Sequence, residues 1–224
     1  MRLANAMRPK APMPSDSERS AAQPPAAGGE AARALADAVA SLGELTRSLA
    51  AEAGPGLERV ASGCAAALEG GHKLMLAGNG GSAAQCQHFA TELTCRFTQD
   101  RRPYAAIALT TDTSFLTACA NDYSFDDVFA RQVEALGREG DALLLLSTSG
   151  RSQNVVRAAR AARERGIATF AFTGRGGTAL AESCDVAIEV PSDDSARIQE
   201  AHLLLGHLLC GAIESRLGGF ADER

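Results

Sequence analysis

Short apolar runs, each the length of one strand, alternate with helical patterns over most of the chain. The runs lie at Lys73–Ala77, Ala105–Leu109, Ala142–Leu146, Ile167–Phe172 and Val186–Val190. Helical patterns separate and follow these runs, at about 82–97, 113–120, 125–136, 152–165, 178–182 and 195–216. Unbroken apolar runs are typical of strands buried on both faces, and their alternation with helices favours a parallel sheet with right-handed crossovers. The sequence therefore predicts an α/β fold with three layers, α/β/α.

Two more helices are predicted before the first strand. An Ala- and Leu-rich segment runs from Glu30 to about Ala53, and a second helical segment covers about Leu57–Glu69. Gly54-Pro55-Gly56 separates them, as expected of a turn. We thus expect an N-terminal helical hairpin over residues 30–70 and an α/β core over residues 71–218, in a single domain of residues 30–224. Five of the eight prolines fall before that domain, so residues 1–29 are predicted to be a disordered tail.

Composition excludes several classes of protein. A net charge of −5 argues against a general nucleic-acid binder, and an aromatic content of 4% argues against a base-stacking surface. No apolar run approaches the roughly 18 to 20 residues of a membrane span, and no apolar stretch of a signal peptide follows the basic residues at the N-terminus. The six cysteines permit disulfides but form no C-x-x-C pair, and most lie in apolar stretches. Reduced thiols in a soluble cytoplasmic protein without a membrane partner are the favoured interpretation.

Two loops that follow predicted strands combine glycine with polar groups. Ligands in parallel sheets bind beyond the carboxyl ends of the strands. The first strand leads into Gly78-Asn79-Gly80-Gly81-Ser82-Ala83-Ala84, and the third into Ser147-Thr148-Ser149-Gly150-Arg151-Ser152. Each loop opens a helix, whose first N–H groups attract anions. Either loop alone could be a plain strand-to-helix turn, but together they favour a phosphate site. Neither is a Walker loop or a dinucleotide fingerprint.

A few titratable and amide side chains have helical spacing. His88 and Glu92 are four residues apart and share one helix face, so they could hold one ion or one substrate carbon. The alternative is a solvated glutamate beside a packed histidine. In the last helix, Gln199 and His207 are eight residues apart, about 80° around the axis, and could converge on one pocket. His202 points about 140° away from His207 and is interpreted as structural or as part of an interface.

Several motifs in fixed order resemble the bacterial phosphoheptose isomerase family, which has the sugar isomerase (SIS) fold. The glycine-rich loop followed by Gln87-His88-Phe89 and Glu92 resembles the family's opening motif. Further matches are Leu109-Thr110-Thr111-Asp112-Thr113, Ala120-Asn121-Asp122-Tyr123, Arg131 to Gly137, Ser147 to Gly150, Phe172-Thr173-Gly174, Glu189 to Ser192 and Arg197 to Leu203. The resemblance extends over about residues 30–216. Departures from the family pattern fall at Gln85-Cys86, Thr94-Cys95 and Asp193-Asp194-Ser195.

The resemblance implies a fold, an assembly and a set of site residues. The fold is a five-stranded parallel sheet flanked by helices, and the assembly is a homotetramer with active sites at subunit interfaces. One Zn²⁺ per subunit is implied at His88, Glu92, Gln199 and His207. The implied contacts to the sugar phosphate match Asn79, Gly80, Gly81, Ser82, His88, Glu92, Asn121, Asp122, Ser147, Thr148, Ser149, Ser152 and Gln199. From the residues alone, Asn121-Asp122 predicts only a turn.

The activity implied by the resemblance is conversion of D-sedoheptulose 7-phosphate, a phosphorylated seven-carbon sugar, to D-glycero-D-manno-heptose 7-phosphate. This is the first step of bacterial heptose biosynthesis. An aldose–ketose isomerisation needs a base at carbon and a group that exchanges protons with the oxygens. Glu92 and His207 match the family's acid–base pair, and zinc would polarise the oxygens.

Two non-catalytic alternatives have the same fold. One is an SIS adaptor that binds the bacterial replication initiator; that relative lacks the glutamate and the last-helix histidine. The other is a sugar-phosphate-sensing regulator. Such regulators usually carry a DNA-binding domain, for which the proline-rich tail is too short.

Overall fold

The computed structural model of the chain describes residues 29–176 and 179–218. The predicted tail, residues 1–29, lies outside these ranges except for Gly29. The chain divides into two units, residues 1–38 and 39–224, and of the smaller unit only residues 29–38 are described. The sheet and the candidate site belong entirely to the larger unit.

Helices and strands alternate as predicted. The strands are β1 (Leu74–Gly78), β2 (Ala106–Ala108), β3 (Ala142–Ser147), β4 (Ala168–Thr173) and β5 (Val186–Glu189). The helices are α1 (Glu30–Glu52), α2 (Gly54–Glu69), α3 (Gly81–Thr94), α4 (Thr113–Asp122), α5 (Ala130–Leu136), α6 (Gln153–Glu164), α7 (Ala179–Ser183) and α8 (Ser195–Leu217). A short 3-10 helix, Phe125–Asp127, precedes α5.

All five strands are parallel and form one sheet in the order β2-β1-β3-β4-β5. From β1 the chain passes outward to β2 at one edge, then returns across β1 to β3 and continues to the other edge. The direction of winding therefore reverses between β1 and β3. In open α/β sheets, ligands bind in the crevice at such a reversal, beyond the carboxyl ends of the strands.

Two apolar cores cover the two faces of the sheet. In β1, Leu74 and Leu76 belong to the core shared with α2, α3 and α8, whereas Met75 and Ala77 belong to the core shared with α5 and α6. This alternation follows from the two-residue period of a strand, and it explains why every residue of β1 is buried. The predicted three-layer α/β/α class is confirmed.

Three predicted elements differ from the structure by more than two residues. The helix predicted over 82–97 ends at Thr94, because Cys95 leaves the helical conformation, with φ of −95° and ψ of −88°. The helix predicted over 125–136 is split, because Ser124 caps a single 3-10 turn before α5 begins at Ala130. The turn predicted at Gly54-Pro55-Gly56 is the first turn of α2, a position where proline costs little because the first N–H groups of a helix have no partner within it. The start predicted for α7, at residue 178, lies outside the described residues. Within the described ranges, no helix is long and apolar enough to cross a membrane.

Candidate active site

The loops after β1 and β3 meet at the reversal point of the sheet. Gly80 precedes α3 with φ of 54°, a left-handed conformation that favours glycine. The side-chain amides of Asn79 and Asn154 donate to one another, each at 2.9 Å, and so join the β1 loop to the first turn of α6. Ser82, at the start of α3, is buried. Two helix N-termini thus lie beside each other, an arrangement that suits an anion.

The second loop is stabilised by its own backbone. Gly150 has φ of 59°, and its N–H donates to the carbonyl of Ser147 at 3.3 Å and to the Ser147 hydroxyl at 3.1 Å. Ser147 is buried, Thr148 is half-buried and Ser149 is exposed. Ser152 immediately precedes α6, and its hydroxyl does not cap that helix. Of the four predicted hydroxyls, only that of Ser147 is buried inside the loop.

Two histidines and a glutamate form a cluster where α3 and α8 pack together. Nε2 of His88 lies 2.8 Å from Nε2 of His207, and 3.5 Å from a carboxylate oxygen of Glu92. The two imidazole rings meet edge to face, with centroids 5.1 Å apart. One ligand atom from each of the three residues falls within 4.8 Å of the others. The pairing of His88 with Glu92 expected from their spacing is therefore present, and His207 joins it from another helix.

The cluster has the donor set of a zinc site. Two imidazole nitrogens and a carboxylate are ligands that catalytic zinc ions use, with a further position open to water or substrate. The side chain of His88 is 42% exposed and that of Glu92 20%, so a small molecule can reach the cluster. One of two nitrogens in hydrogen-bond contact must carry a proton, and a metal ion would replace that proton.

Close approach of α3 and α8 depends on two glycines. A Cβ atom added to Gly206 would lie 1.9 Å from Cζ of Phe89, and one added to Gly81 would lie 2.6 Å from Nε2 of Gln199. The carboxamide of Gln199 therefore packs against the first residue of α3. Its role as a ligand beside His88, Glu92 and His207 stays a prediction.

Comparison with known proteins identifies the family. Residues 38–174 match the SIS domain family. A phosphoheptose isomerase from Bradyrhizobium sp. (strain ORS 278) is 56% identical over 160 residues, which are 71% of this chain and 81% of that protein. One from Nitratidesulfovibrio vulgaris is 58% identical over 147 residues, 66% of this chain and 71% of that protein. The chain belongs to the phosphoheptose isomerase family of SIS domain proteins. The resemblance described from its motifs is confirmed.

Solved structures of phosphoheptose isomerases have the same fold. The protein from Neisseria gonorrhoeae is 42% identical, with a TM-score of 0.79 and coverage of 83% of this chain and 99% of that one. The protein from Francisella tularensis is 36% identical, with a TM-score of 0.80 and coverage of 84% of this chain and 100% of that one. The SIS fold implied by the resemblance is therefore confirmed.

Asn121 and Asp122, which the phosphoheptose isomerase resemblance assigns to the sugar phosphate, lie in the last turn of α4. Both are exposed, and the Asn121 amide donates to the Asp122 carboxylate at 2.8 Å. In the part of the chain that the structure describes, no hydrogen bond joins this pair to the loops after β1 and β3. Their place in the site stays a prediction.

Sequence reasoning missed Asn154 and Gln85, two residues that hold the site together. Asn154 is 2% exposed and fixes Asn79, and Gln85 donates to the backbone carbonyl of Gln199 at 2.7 Å. An asparagine two residues after Ser152, in the first turn of a helix, was the available signal for Asn154. Gln85 stands out in the sequence only as a departure from the family pattern, and its contact could not be predicted because its partner is 114 residues away.

Proposed function

We propose that this chain is an aldose–ketose isomerase that converts D-sedoheptulose 7-phosphate to D-glycero-D-manno-heptose 7-phosphate. The observation that carries the proposal is the cluster of His88, Glu92 and His207, at 2.8 and 3.5 Å, where α8 packs against the helix that the glycine-rich loop opens. Proton carriers close to an anion site match the requirements of a sugar-phosphate isomerase. The similarity to proteins named phosphoheptose isomerase supports the choice of a seven-carbon sugar.

The phosphate is assigned to the two loops at the sheet reversal. Asn79 to Ser82 supply backbone N–H groups at the start of α3, and Ser147, Thr148, Ser149 and Ser152 supply hydroxyls and the start of α6. Neutral donors of this kind can satisfy the oxygens of a phosphomonoester. The hydrogen bonds between Asn79 and Asn154 hold the loop after β1 next to the start of α6.

Proton transfer is assigned to Glu92 and His207. The Glu92 carboxylate removes the proton from C1 of the ketose, giving a cis-enediol, and returns it to C2, giving the aldose. His207 exchanges protons with the oxygens on C1 and C2, so that no charge accumulates on them. The edge-to-face contact between His88 and His207 holds the second imidazole beside the first.

A zinc ion, one per subunit, is proposed at His88, Glu92 and His207, with Gln199 as a fourth ligand on the strength of the family resemblance. When bound, it would supply a Lewis acid for the sugar oxygens. The donor atoms within 4.8 Å of one another support the first three ligands.

Assembly, location and domain limits are proposed as follows. A homotetramer with sites at subunit interfaces is supported by exposed leucines around His207 on α8, namely Leu203, Leu204 and Leu208. A cytoplasmic location is supported by six unpaired cysteines. Residues 30–224 are proposed as one SIS domain, of which the family match covers 38–174.

The test is incubation of zinc-replete protein with sedoheptulose 7-phosphate, followed by NMR of the sugar. A manno-heptose 7-phosphate formed by the wild type, but not by Glu92→Gln, supports the reaction and its main residue. No turnover by a folded, zinc-replete wild type contradicts the proposal.

A further inference from the structure

Glu214 is a buried carboxylate outside the candidate active site. It lies on α8 seven residues after His207, and is 1% exposed. Backbone N–H groups of Phe97, Thr98 and Gln99 donate to it at 3.0, 3.0 and 3.3 Å, and the Thr98 hydroxyl donates at 2.7 Å. Burial by itself raises the pKa of Glu214. The hydrogen bonds from Thr98 and Phe97 and the charge of Arg101 lower the pKa by more than burial raises it, so the pKa is below its ordinary value. A single side chain therefore fixes the segment that follows α3.

Arg101 links Glu214 to the end of α3. Its Nε donates to the Glu214 carboxylate at 2.8 Å, and its Nη2 and Nη1 donate to the backbone carbonyls of Glu92 and Leu93 at 2.8 and 2.9 Å. The last carbonyls of a helix have no partner within it, so the guanidinium caps α3 at Glu92. The Arg101 side chain is only 6% exposed, and its guanidinium lies 4.0 Å from the centre of the Tyr104 ring.

Phe97 connects the Glu214–Arg101 ion pair to His207. Its ring stacks on the His207 imidazole, with centroids 5.8 Å apart and planes at 21°. The same imidazole meets His88 edge to face at 79°. Phe89 also meets it edge to face, with centroids 6.2 Å apart, so Phe97 is the one stacked ring among three that contact His207 in the described part of the chain. The position of Phe97 in turn depends on the hydrogen bond from its N–H to Glu214.

We infer that Glu214 and Arg101 are positioning residues for the isomerisation. Glu214 holds Phe97 against His207, and Arg101 holds the backbone of Glu92, so one buried ion pair orients both proposed proton carriers. This inference rests on the proposed function. Neither residue lies in the phosphate loops, so we expect their loss to lower kcat with little change in KM.

The test uses two variants that keep most of the packing. Phe97→Leu retains the N–H donor and removes the stacked ring. Arg101→Lys retains the charge, but one ammonium cannot reach the Glu214 carboxylate and both α3 carbonyls together. We expect kcat, per folded protein, to fall by about tenfold or more in each, because displacements near 1 Å can cost about 100-fold in rate. KM should stay within about twofold.

The control is Glu58→Gln. Glu58, on α2, forms an ion pair with Arg216, which lies on α8 as Glu214 does. The side chain of Glu58 is 68% exposed. This control should leave kcat unchanged. Glu214→Gln should resemble Arg101→Lys; if it does not fold, the other two variants decide.

A second readout needs neither substrate nor turnover. The chain has four histidines, so their imidazole NMR signals can be assigned one by one. Because Phe97 is stacked on His207, Phe97→Leu should shift the His207 signals and leave those of His72 in place. Arg101→Lys should shift the His207 signals too. A normal kcat together with unshifted His207 signals in both variants would overturn the inference. An inactive wild type with shifted His207 signals would contradict the proposed reaction but not the positioning of the ring.

Discussion

Asn79 and Asn154 exchange two hydrogen bonds through their side-chain amides, each 2.9 Å long, across the reversal point of the sheet. A primary amide can donate and accept at once, so two of them form a closed pair that fixes both orientations. The pair connects the loop after β1 to the helix after β3. It therefore sets the distance between the two proposed phosphate-binding segments.

Asn154→Asp should remove the hydrogen bond that Asn154 donates to Asn79, at nearly unchanged side-chain size. A carboxylate accepts but cannot donate, so two oxygens would face each other in a buried site. We expect a loss of about 1 to 3 kcal/mol in the free energy of unfolding, with a raised KM for the sugar phosphate. Gln153→Glu, at the exposed neighbouring position, adds the same charge and should change both quantities less. Equal effects in the two variants, by urea unfolding and steady-state kinetics, would contradict this role.

Gly206→Ala should damage the contact between α3 and α8. The added Cβ would lie 1.9 Å from Cζ of Phe89. Phe89 is the neighbour of His88, and Gly206 is the neighbour of His207, so the conflict falls beside both histidines of the cluster. Overpacking of this kind costs about 1 to 3 kcal/mol, and displacement of Phe89 should also lower kcat. Gly211→Ala, on the same helix, meets its nearest atom at 3.5 Å and should be neutral or slightly stabilising. Thermal unfolding of the two variants separates steric conflict from helix propensity.

Local patterns predicted the strands of the sheet and one of the two contacts in the cluster of His88, Glu92 and His207. All five strands fall within a residue or two of the predicted runs, because buried parallel strands need continuous apolar sequence. The pairing of His88 with Glu92 follows from helix geometry alone. The contact of His88 with His207 does not, since it depends on how α3 packs on α8, which Gly206 permits. No periodic pattern in the sequence indicates that α3 and α8 pack this closely.

The same limit explains the residues that were missed. In the sequence, Glu214 does not differ from other charged residues near the end of a helix. In the structure it is buried, because residues 97–101 fold back over it. Those partners are more than a hundred residues away in sequence. The contact of the Gln199 carboxamide with Gly81 is likewise set by the packing of α8 on α3 and not by a local pattern.

Zinc affinity should follow the geometry of the cluster. His88→Gln and His207→Gln each remove a nitrogen from a group already within 4.8 Å of its partners, and should weaken zinc binding strongly. Gln199→Ala should weaken it less, because zinc prefers imidazole nitrogen to a neutral carboxamide oxygen. Equilibrium dialysis with Zn²⁺ in the absence of substrate measures all three. Affinity lost equally in Gln199→Ala would show that the glutamine is a full ligand.

Removal of either proton carrier should lower turnover. Glu92→Gln and His207→Gln preserve shape while abolishing acid–base chemistry, so we expect kcat to fall by about 10² to 10⁴. Glu164→Gln, at an exposed position on α6, should have no effect. Near-normal turnover of sedoheptulose 7-phosphate by purified, folded Glu92→Gln would remove Glu92 from the role of base.

Stability should fall in mild acid because of His202. This side chain is fully buried, its Nε2 donates to the carbonyl of Thr173 at 3.3 Å, and burial lowers its pKa to about 4. The unfolded chain takes up the proton near pH 6.5 and the folded chain only near pH 4, so stability is lost as the pH falls between these values. From pH 8 to pH 5 the loss should be about 2 kcal/mol.

His202→Gln isolates this effect, because the amide can still donate to Thr173 but cannot take up a proton. The pKa values of Asp141 and Glu214 are held below their ordinary values, so those carboxylates lose their contribution only at lower pH. Urea unfolding at pH 8 and pH 5, at one protein concentration, should show a smaller pH dependence for the variant than for the wild type. An identical dependence in both proteins would mean that His202 does not take up a proton on unfolding in this range.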